Sequence, residues 1–130
     1  MPGIVSFGAY VPRYRIARDV IAKEWGIPSM KGEKAVANYD EDSITIATEA
    51  CLSCLEGQDV KGVGSLSFAT TSSPYREKQG ATTIATFADL GRDARTADIT
   101  DTLRAGTTAM ITALDSILAG TTQKAVVVAA

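Results

Sequence analysis

The sequence predicts an α/β domain in which helices cover a largely parallel β-sheet. Segments with the apolar character of buried strands alternate with segments that have the periodicity of amphipathic helices. The last strand-like segment, residues 124–130 (KAVVVAA), is a continuous apolar run, which is typical of a parallel strand covered on both faces. The predicted order is strand, helix, helix, strand, helix, strand, helix, strand, with no internal repeat.

The first third of the chain is predicted to contain one strand, one short helix and one long loop. Residues 3–9 (GIVSFGA) have the pattern of a buried strand, which Pro12 ends. Residues 17–25 predict a helix, since Gly26 stops the helical pattern there. The polar stretch from residue 29 to residue 40 predicts a loop.

The middle of the chain predicts a helix followed by a strand. Apolar residues recur at helical spacing on one face before Gly57 ends the pattern: Ile44, Ala47, Cys51, Cys54 and Leu55. Residues 63–71 (VGSLSFATT) then predict a strand.

The final third predicts a helix at residues 81–90, a strand at 94–100 and a helix at 105–119, which Gly120 ends. The predicted apolar side of that last helix consists of Met110, Ile111, Leu114, Ile117 and Leu118.

Composition excludes several classes of function. The chain has 130 residues, enough for one domain, and a net charge of −2 gives no reason to expect nucleic acid or an anionic membrane as a partner. It contains no histidine, which excludes Ser-His-Asp and Cys-His catalysis within the chain, and two cysteines are too few for a typical structural zinc site. Without a leader pattern or a membrane-length apolar run, the expected location is the cytoplasm.

The strand-like segment at the end of the sequence implies a larger whole. An apolar strand of this kind needs covering and an onward connection. We therefore expect residues 1–130 to be one partial domain, a portion of a larger chain or assembly.

Four ordered motifs carry a family resemblance: YVP near the N-terminus, GEKAVANYDEDSITIATEA, SLSFATTSSP, and DITDTLRAGTTAM before a helix. Together they resemble the N-terminal portion of the hydroxymethylglutaryl-CoA synthase-like branch of the thiolase superfamily. The resemblance implies a thiolase-like layered fold and an acyl-CoA thioester as substrate, with no covalently bound cofactor and no metal.

The resemblance places a leucine where the family has its nucleophile. Aligning the family's Ala-Cys-x-Gly-Gly-Thr pattern with residues 102–107 puts Leu103 at the cysteine position. A leucine cannot form an acyl-thioester, and no cysteine lies in residues 55–130 that another register could supply. Thr102 and Thr107 offer hydroxyl groups, but no base is evident to activate either one.

Other residues of this motif are candidates for substrate binding, namely Arg104, Gly106 and Thr107. A cation beside a helix N-terminus is unfavourable because the dipole there favours negative charge. Arg104 is therefore expected either to bind a phosphate or carboxylate of a ligand, or to be a solvent-facing or salt-bridged side chain.

Glu41 is the candidate acid/base. The resemblance assigns it that role, because the synthases use the glutamate of a matching Glu-Asp pair. The alternative is that Asp40, Glu41 and Asp42 cap the following helix, where carboxylates are favourable.

Two further sets of residues carry alternatives. Cys51 and Cys54 form a C-x-x-C on the apolar face of a helix, where two small buried, reduced residues are favoured over a redox pair. Lys31 and Lys34 are expected in a flexible loop that meets the coenzyme A phosphates, with solvated surface charge as the alternative.

Two classes of function follow from the resemblance. The first is a synthase-like enzyme that forms or breaks a carbon–carbon bond in an acyl-CoA without a covalent intermediate, as thiolase-fold aldolases do with an OB-fold or zinc-ribbon partner. The second is a non-catalytic acyl-CoA-binding or scaffolding subunit. The resemblance also implies a homodimer when the chain is complete.

Overall fold

A computed structural model describes all 130 residues, which fall into two compact units. The first unit comprises Met1–Tyr10 and Ser43–Ala130, and the second comprises Val11–Asp42. The elements in chain order are β1 (Tyr14–Ala17), α1 (Arg18–Trp25), β2 (Glu33–Val36), α2 (Ser43–Leu55), β3 (Val63–Ala69), α3 (Gly80–Phe87), β4 (Arg95–Ile99), α4 (Ala105–Leu118) and β5 (Lys124–Ala129).

The first unit is built around a three-stranded parallel sheet in the order β4-β3-β5. In the central strand β3, Phe68 lies opposite Asp98 of β4 and Val128 of β5. Each connection between neighbouring strands contains a helix, as parallel pairing requires. The predicted α/β class and the parallel sheet are confirmed.

The two faces of the sheet are covered by different helices. On one face, α2 and α3 contribute to a core around Leu66 and Phe68, both of which are fully buried. On the other face, Ala105 and Ala109 of α4 pack against Ala69 in a smaller cluster. This arrangement of helix, sheet and helix is the layered fold that the sequence predicts.

The predicted apolar side of α4 is not the side that packs against the sheet. The residues that α4 turns toward the sheet are Ala105 and Ala109, which are 4% and 0% exposed. The larger apolar residues of the predicted side lie mostly in solvent: Met110, Ile111, Leu114 and Leu118 are exposed, and Ile117 is half-buried. The small alanine side chains let the helix approach the sheet closely, so the periodicity of larger residues did not identify the packed face.

The predicted strand at residues 3–9 is also wrong, because this segment belongs to no helix or strand. It is attached to α2 instead. A Cβ atom added to Gly8 would lie 2.3 Å from the backbone nitrogen of Cys54, so only glycine fits this contact. The Ser6 hydroxyl lies 3.4 Å from the Cys54 sulfur. The apolar side chains of residues 3–9 nevertheless remain exposed, since no strand within residues 1–130 pairs with this segment.

The second unit contains a two-stranded antiparallel sheet of β1 and β2, with α1 between them in sequence. The helix ends at Gly26, whose φ of 63° is in the left-handed region that glycine readily adopts. Ala22 is its only buried apolar residue. The predicted loop from 29 to 40 is corrected, since β2 lies within it and Lys34 is a strand residue paired with Ile16.

No helix in the structure has both the length and the apolar character that crossing a bilayer requires.

Candidate functional site

A tight turn between β4 and α4 holds the residue at the predicted nucleophile position. Asp101 has a φ of 62°, in the left-handed region, where aspartate is among the better-tolerated residues. The Thr100 hydroxyl donates a hydrogen bond to the Asp101 carboxylate at 2.9 Å. The backbone N–H of Ala105 donates to the Thr102 carbonyl at 3.1 Å. The turn thus brings the chain from the carboxyl end of the strand directly into the helix.

Leu103 lies at the outside of this turn and is 96% exposed. It is two residues ahead of the first residue of α4, at the end of the helix where the dipole favours a negative charge. The helix dipole would stabilise a thiolate at this position. A leucine side chain, in contrast, has no proton to release and no atom that can attack a thioester. The turn therefore lacks a nucleophile at its exposed position.

Three neighbouring residues lie in the same turn and the first turn of α4. Arg104 is the N-cap residue, makes no side-chain capping hydrogen bond and is exposed. Thr107 is exposed, and Gly106 is half-buried. A Cβ atom on Gly106 would lie 3.8 Å from the Cβ of Ala129, an ordinary contact. The structure thus brings together Leu103 and the three predicted binding residues that follow it.

Glu41 belongs to the second unit, where its carboxylate takes part in local backbone bonding. One carboxylate oxygen accepts a hydrogen bond from the backbone N–H of Asn38 at 2.6 Å, and the N–H of Glu41 donates to the Asn38 carbonyl at 3.1 Å. These reciprocal bonds close the loop just before α2 begins at Ser43. The donor at Asn38 lies upstream of α2, so this bond is not a cap of that helix, and both the capping role and the acid/base role of Glu41 stay predictions.

Both predicted phosphate-binding lysines are exposed residues of the second unit. Lys31 lies two residues before β2, and Lys34 lies within that strand. The hydrogen-bonded pairing of β1 and β2 fixes the backbone of Lys34, while the backbone of Lys31 is outside the strand. Both side chains are available to an anionic ligand, but the strand context of Lys34 differs from the flexible loop that the sequence predicted.

The two cysteines are reduced and have different environments. Cys51 is buried in the core, and Cys54 is half-buried beside Ser6. Burial raises the pKa of the Cys51 thiol to about 11, and the neighbouring Cys54 adds to the rise. A thiol with so high a pKa is a poor nucleophile at neutral pH. No group of three or more cysteine, aspartate or glutamate side chains has an arrangement that could hold a metal ion.

Asp98, which no pattern in the sequence singles out, organises the sheet edge next to the turn. Its two carboxylate oxygens accept hydrogen bonds from the backbone N–H groups of Gly80 and Ala81, each at 2.7 Å. These are the first two residues of α3, so Asp98 satisfies donors that the helix itself cannot. The signal in the sequence is only a polar residue inside a strand pattern, and the partner lies 18 residues away.

An open cleft of about 630 Å³ lies at the other end of the sheet. It is formed at the amino ends of β3 and β5, next to Asp93 and Thr122. The Leu103 turn follows the carboxyl end of β4. The cleft therefore contains none of the predicted site residues.

The chain is similar in sequence to proteins that are named as synthases. Proteins named hydroxymethylglutaryl-CoA synthase are similar to it: that of Thermococcus gammatolerans is 42% identical over 86% of this chain, and that of Pyrococcus furiosus is 38% identical over 98% of it. The matches cover 33% and 37% of those two proteins. The chain thus spans little more than a third of the length of these relatives. No family model matches it.

Comparison with solved structures supports the same fold at lower sequence identity. The hydroxymethylglutaryl (HMG) synthase of the curacin biosynthetic pathway, in complex with an acetyl donor-ACP, has a TM-score of 0.86 at 22% identity. The alignment covers 98% of this chain and 34% of that one. The β-ketoacyl-[acyl carrier protein] synthase III of Thermus thermophilus has a TM-score of 0.79 at 22% identity, over 95% of this chain and 41% of that one. At these identities the likeness establishes the thiolase-like fold.

Proposed function

Because the chain belongs to the hydroxymethylglutaryl-CoA synthase-like branch of the thiolase superfamily, we propose that it is part of a protein that forms or breaks a carbon–carbon bond in acyl-CoA thioesters. The observation that supports this proposal is the exposed turn at residues 100–104, which leads from a parallel strand into a helix N-terminus. The coenzyme A thioester is the substrate in this proposal, with no other cofactor.

Leu103 makes the proposed chemistry independent of a covalent acyl intermediate. In the cleavage direction, a base removes the proton of a 3-hydroxyl group, the oxygen forms a carbonyl double bond to C3, and the bond between C2 and C3 breaks to release that carbonyl product. The bonding electrons pass to the thioester as an enolate, which is then protonated on carbon. This sequence needs an acid/base and an oxyanion site rather than a nucleophile. Bond formation is the same sequence in reverse.

We assign the acid/base role to Glu41 and substrate contacts to Arg104, Gly106 and Thr107. Lys31 and Lys34 are proposed to meet the coenzyme A phosphates, for which exposed cationic side chains are suited. A homodimer, an OB-fold or zinc-ribbon partner and a cytoplasmic location belong to the same proposal and remain predictions.

A non-catalytic acyl-CoA-binding or scaffolding subunit is the second candidate. The observation that favours it is again Leu103, since the exposed position has no reactive atom. An acyl-CoA-binding subunit would share acyl-CoA binding with the enzyme and differ from it in whether Glu41 takes part in chemistry. A scaffolding subunit is the candidate that would be left if acyl-CoA did not bind.

Calorimetric titration of coenzyme A and acetyl-CoA into the chain tests the shared part of the proposal. We expect saturable binding that the double change Lys31→Ala/Lys34→Ala weakens. The charge-matched control Lys61→Ala/Lys78→Ala removes two exposed lysines from the other unit and should leave binding unchanged. A folded wild-type chain that binds neither compound would refute the acyl-CoA proposal.

The nucleophile position is tested by restoring a thiol. Leu103→Cys incubated with acetyl-CoA should gain one acetyl group at residue 103, because a thiol here lies at a helix N-terminus. Peptide mapping by mass spectrometry separates this product from any acetylation of Cys51 or Cys54, and Leu103→Ser serves as the control. Absence of labelling at residue 103 would contradict the alignment of Leu103 with the family's cysteine.

A further inference from the structure

The second unit, residues 11–42, has almost no core of its own. Ala22 is its only buried residue, and its large apolar side chains lie in solvent, with Trp25 75% exposed. It also contains no cysteine that could form a disulfide. Polypeptide units shorter than about 40 residues usually need a disulfide, a metal or a partner to fold stably. The second unit therefore gains little stability from its own side chains.

The secondary structure of the second unit is short as well. Helix α1 has eight residues, and its N-cap residue Ala17 makes no side-chain hydrogen bond. The sheet consists of four residue pairs between β1 and β2. An isolated helix shorter than about 12 residues and an isolated two-stranded sheet are both marginally stable in water. A segment of this kind opens at a low free energy.

The first unit keeps its core whether or not the second unit is folded. Leu66, Phe68 and Ile84 are fully buried there. Both hydrophobic clusters of the protein consist entirely of residues from the first unit. Unfolding of the second unit thus leaves these clusters complete.

Folding of the second unit brings exposed cations together. The pairing of β1 with β2 sets Lys34 across from the residue that follows Arg15. The backbone N–H of Arg18 donates to the carbonyl of Gly32, the residue after Lys31, at 2.9 Å. Gathering like charges costs free energy. A ligand with several negative charges can bind these cations together only in the folded form, and it therefore favours that form.

We propose that the second unit is a ligand-dependent switch. It unfolds and refolds as one cooperative unit while the first unit stays folded, and the coenzyme A phosphates favour its folded form through Lys31 and Lys34. This inference rests on the proposed function, which assigns the phosphates to these two lysines. A ligand that binds only the folded form lowers the equilibrium constant for opening, by about 100-fold when its free concentration is about 100 times its dissociation constant.

Hydrogen exchange in the 130-residue chain, measured for single amides by NMR, reports this opening. Ala22 and Ile27 supply the second-unit amides, since Ala22 lies in α1 and the N–H of Ile27 donates to its carbonyl at 3.0 Å. Leu66 and Phe68 supply the β3 amides. Without ligand, the second-unit amides should exchange at least about 100-fold faster than the β3 amides, after correction for intrinsic rates. Coenzyme A at about 100 times its dissociation constant should slow the second-unit amides about 100-fold.

Two matched glycines show which unit opens. Gly26 follows α1 and Gly120 follows α4, with φ of 63° and 71°, and an added Cβ at either position meets nothing within 4 Å. Alanine is strained in this left-handed region, so Gly26→Ala should speed exchange of the second-unit amides about 5- to 30-fold. Gly120→Ala strains the first unit, which is folded in both forms of the switch. It should therefore leave the second-unit amides unchanged and speed only the β3 amides.

The lysines are tested by the same measurement. Lys31→Ala/Lys34→Ala should abolish most of the slowing that coenzyme A produces. Lys61→Ala/Lys78→Ala removes two exposed lysines of the first unit and should retain it.

Equal exchange of the two sets of amides without ligand would mean that the units unfold together, and it would overturn the proposal. Equal acceleration of the second-unit amides by both glycine variants would do the same. Calorimetric binding of coenzyme A without slowing of the second-unit amides would overturn the coupling and leave the proposed function standing. Failure of coenzyme A to bind would overturn the coupling together with the proposed function, and exchange without ligand would still decide whether the second unit opens by itself.

Discussion

Gly106, in the first turn of α4, occupies a position where the structure has room for a methyl group. Its added Cβ would make only an ordinary contact with Ala129 at 3.8 Å. Because alanine is the better helix former, Gly106→Ala should raise the free energy of unfolding by about 0.5–1 kcal/mol. Urea denaturation measures this change.

Gly80→Ala is the matched control, since its Cβ would lie 2.9 Å from a ring carbon of Phe68, and it should destabilise the fold. A loss of stability in Gly106→Ala would contradict the described geometry. If Gly106 lets a thioester approach the backbone, the same variant should bind acetyl-CoA more weakly while being more stable.

The raised pKa of the Cys51 thiol should make the protein less stable at alkaline pH. Burial raises its pKa from 9.0 to about 11, with a further contribution from Cys54. Between these values the unfolded chain has released the proton and the folded chain retains it. The free energy of unfolding should therefore fall as the pH rises through this window, by about 1.4 kcal/mol per pH unit from this group.

Comparison with Cys51→Ala isolates this contribution from those of the tyrosines and lysines. The stability of the wild-type chain should decline more steeply between pH 9.0 and about 11 than that of the variant. Equal slopes in urea denaturation would mean that the thiol is not buried as described.

At the scale of elements, Asp98 joins β4 to α3. Its carboxylate accepts hydrogen bonds from the N–H groups of Gly80 and Ala81, at the helix end where a negative charge is favourable. Asp98→Ala should lower the free energy of unfolding by about 1–2 kcal/mol, because two N–H groups lose their partner. Asp98→Asn should lose less, since its amide oxygen can still accept one bond.

Urea denaturation measures these losses against Glu49→Ala, which removes an exposed carboxylate from the middle of α2. Equal stabilities of Asp98→Ala and Glu49→Ala would refute the capping role. Circular dichroism of the Asp98 variants would report any loss of helix that accompanies the change.

At the scale of the whole molecule, Gly8 attaches the N-terminal segment to α2, more than forty residues further along the chain. A methyl group here would lie 2.3 Å from the Cys54 nitrogen and 2.7 Å from the Ala50 carbonyl oxygen, both of which are backbone atoms of a helix. Because moving these atoms would distort the backbone of α2, Gly8→Ala should detach residues 1–10. Gly3→Ala, with nothing within 4 Å, is the matched control.

Detachment is measured by the alkylation rate of Cys54 and by proteolysis near the N-terminus. The Cys54 sulfur lies 3.4 Å from the Ser6 hydroxyl, so loss of this contact should speed its reaction with iodoacetamide. Unchanged alkylation and proteolysis in Gly8→Ala would show that the segment is not held at this point.

The local parts of the fold could be predicted from the sequence, and the candidate site could be predicted only in part. Helical spacing and the glycines that follow it located α1, α2 and α4 to within a few residues. The sequence could predict that Leu103 and the binding candidates after it lie together, because these residues are neighbours along the chain. Asp98 was missed, because its partners at residues 80 and 81 are distant in sequence.

The amino-acid sequence by itself determined the alternation of helices and strands from α2 to β5, the absence of histidine and the leucine at position 103, since each of these is a property of neighbouring residues or of composition. Only the tertiary structure decided that α4 packs through Ala105 and Ala109 and that residues 3–9 attach to α2. Those outcomes depend on close packing and pairing between distant segments, and a local pattern of apolar residues does not specify its partner.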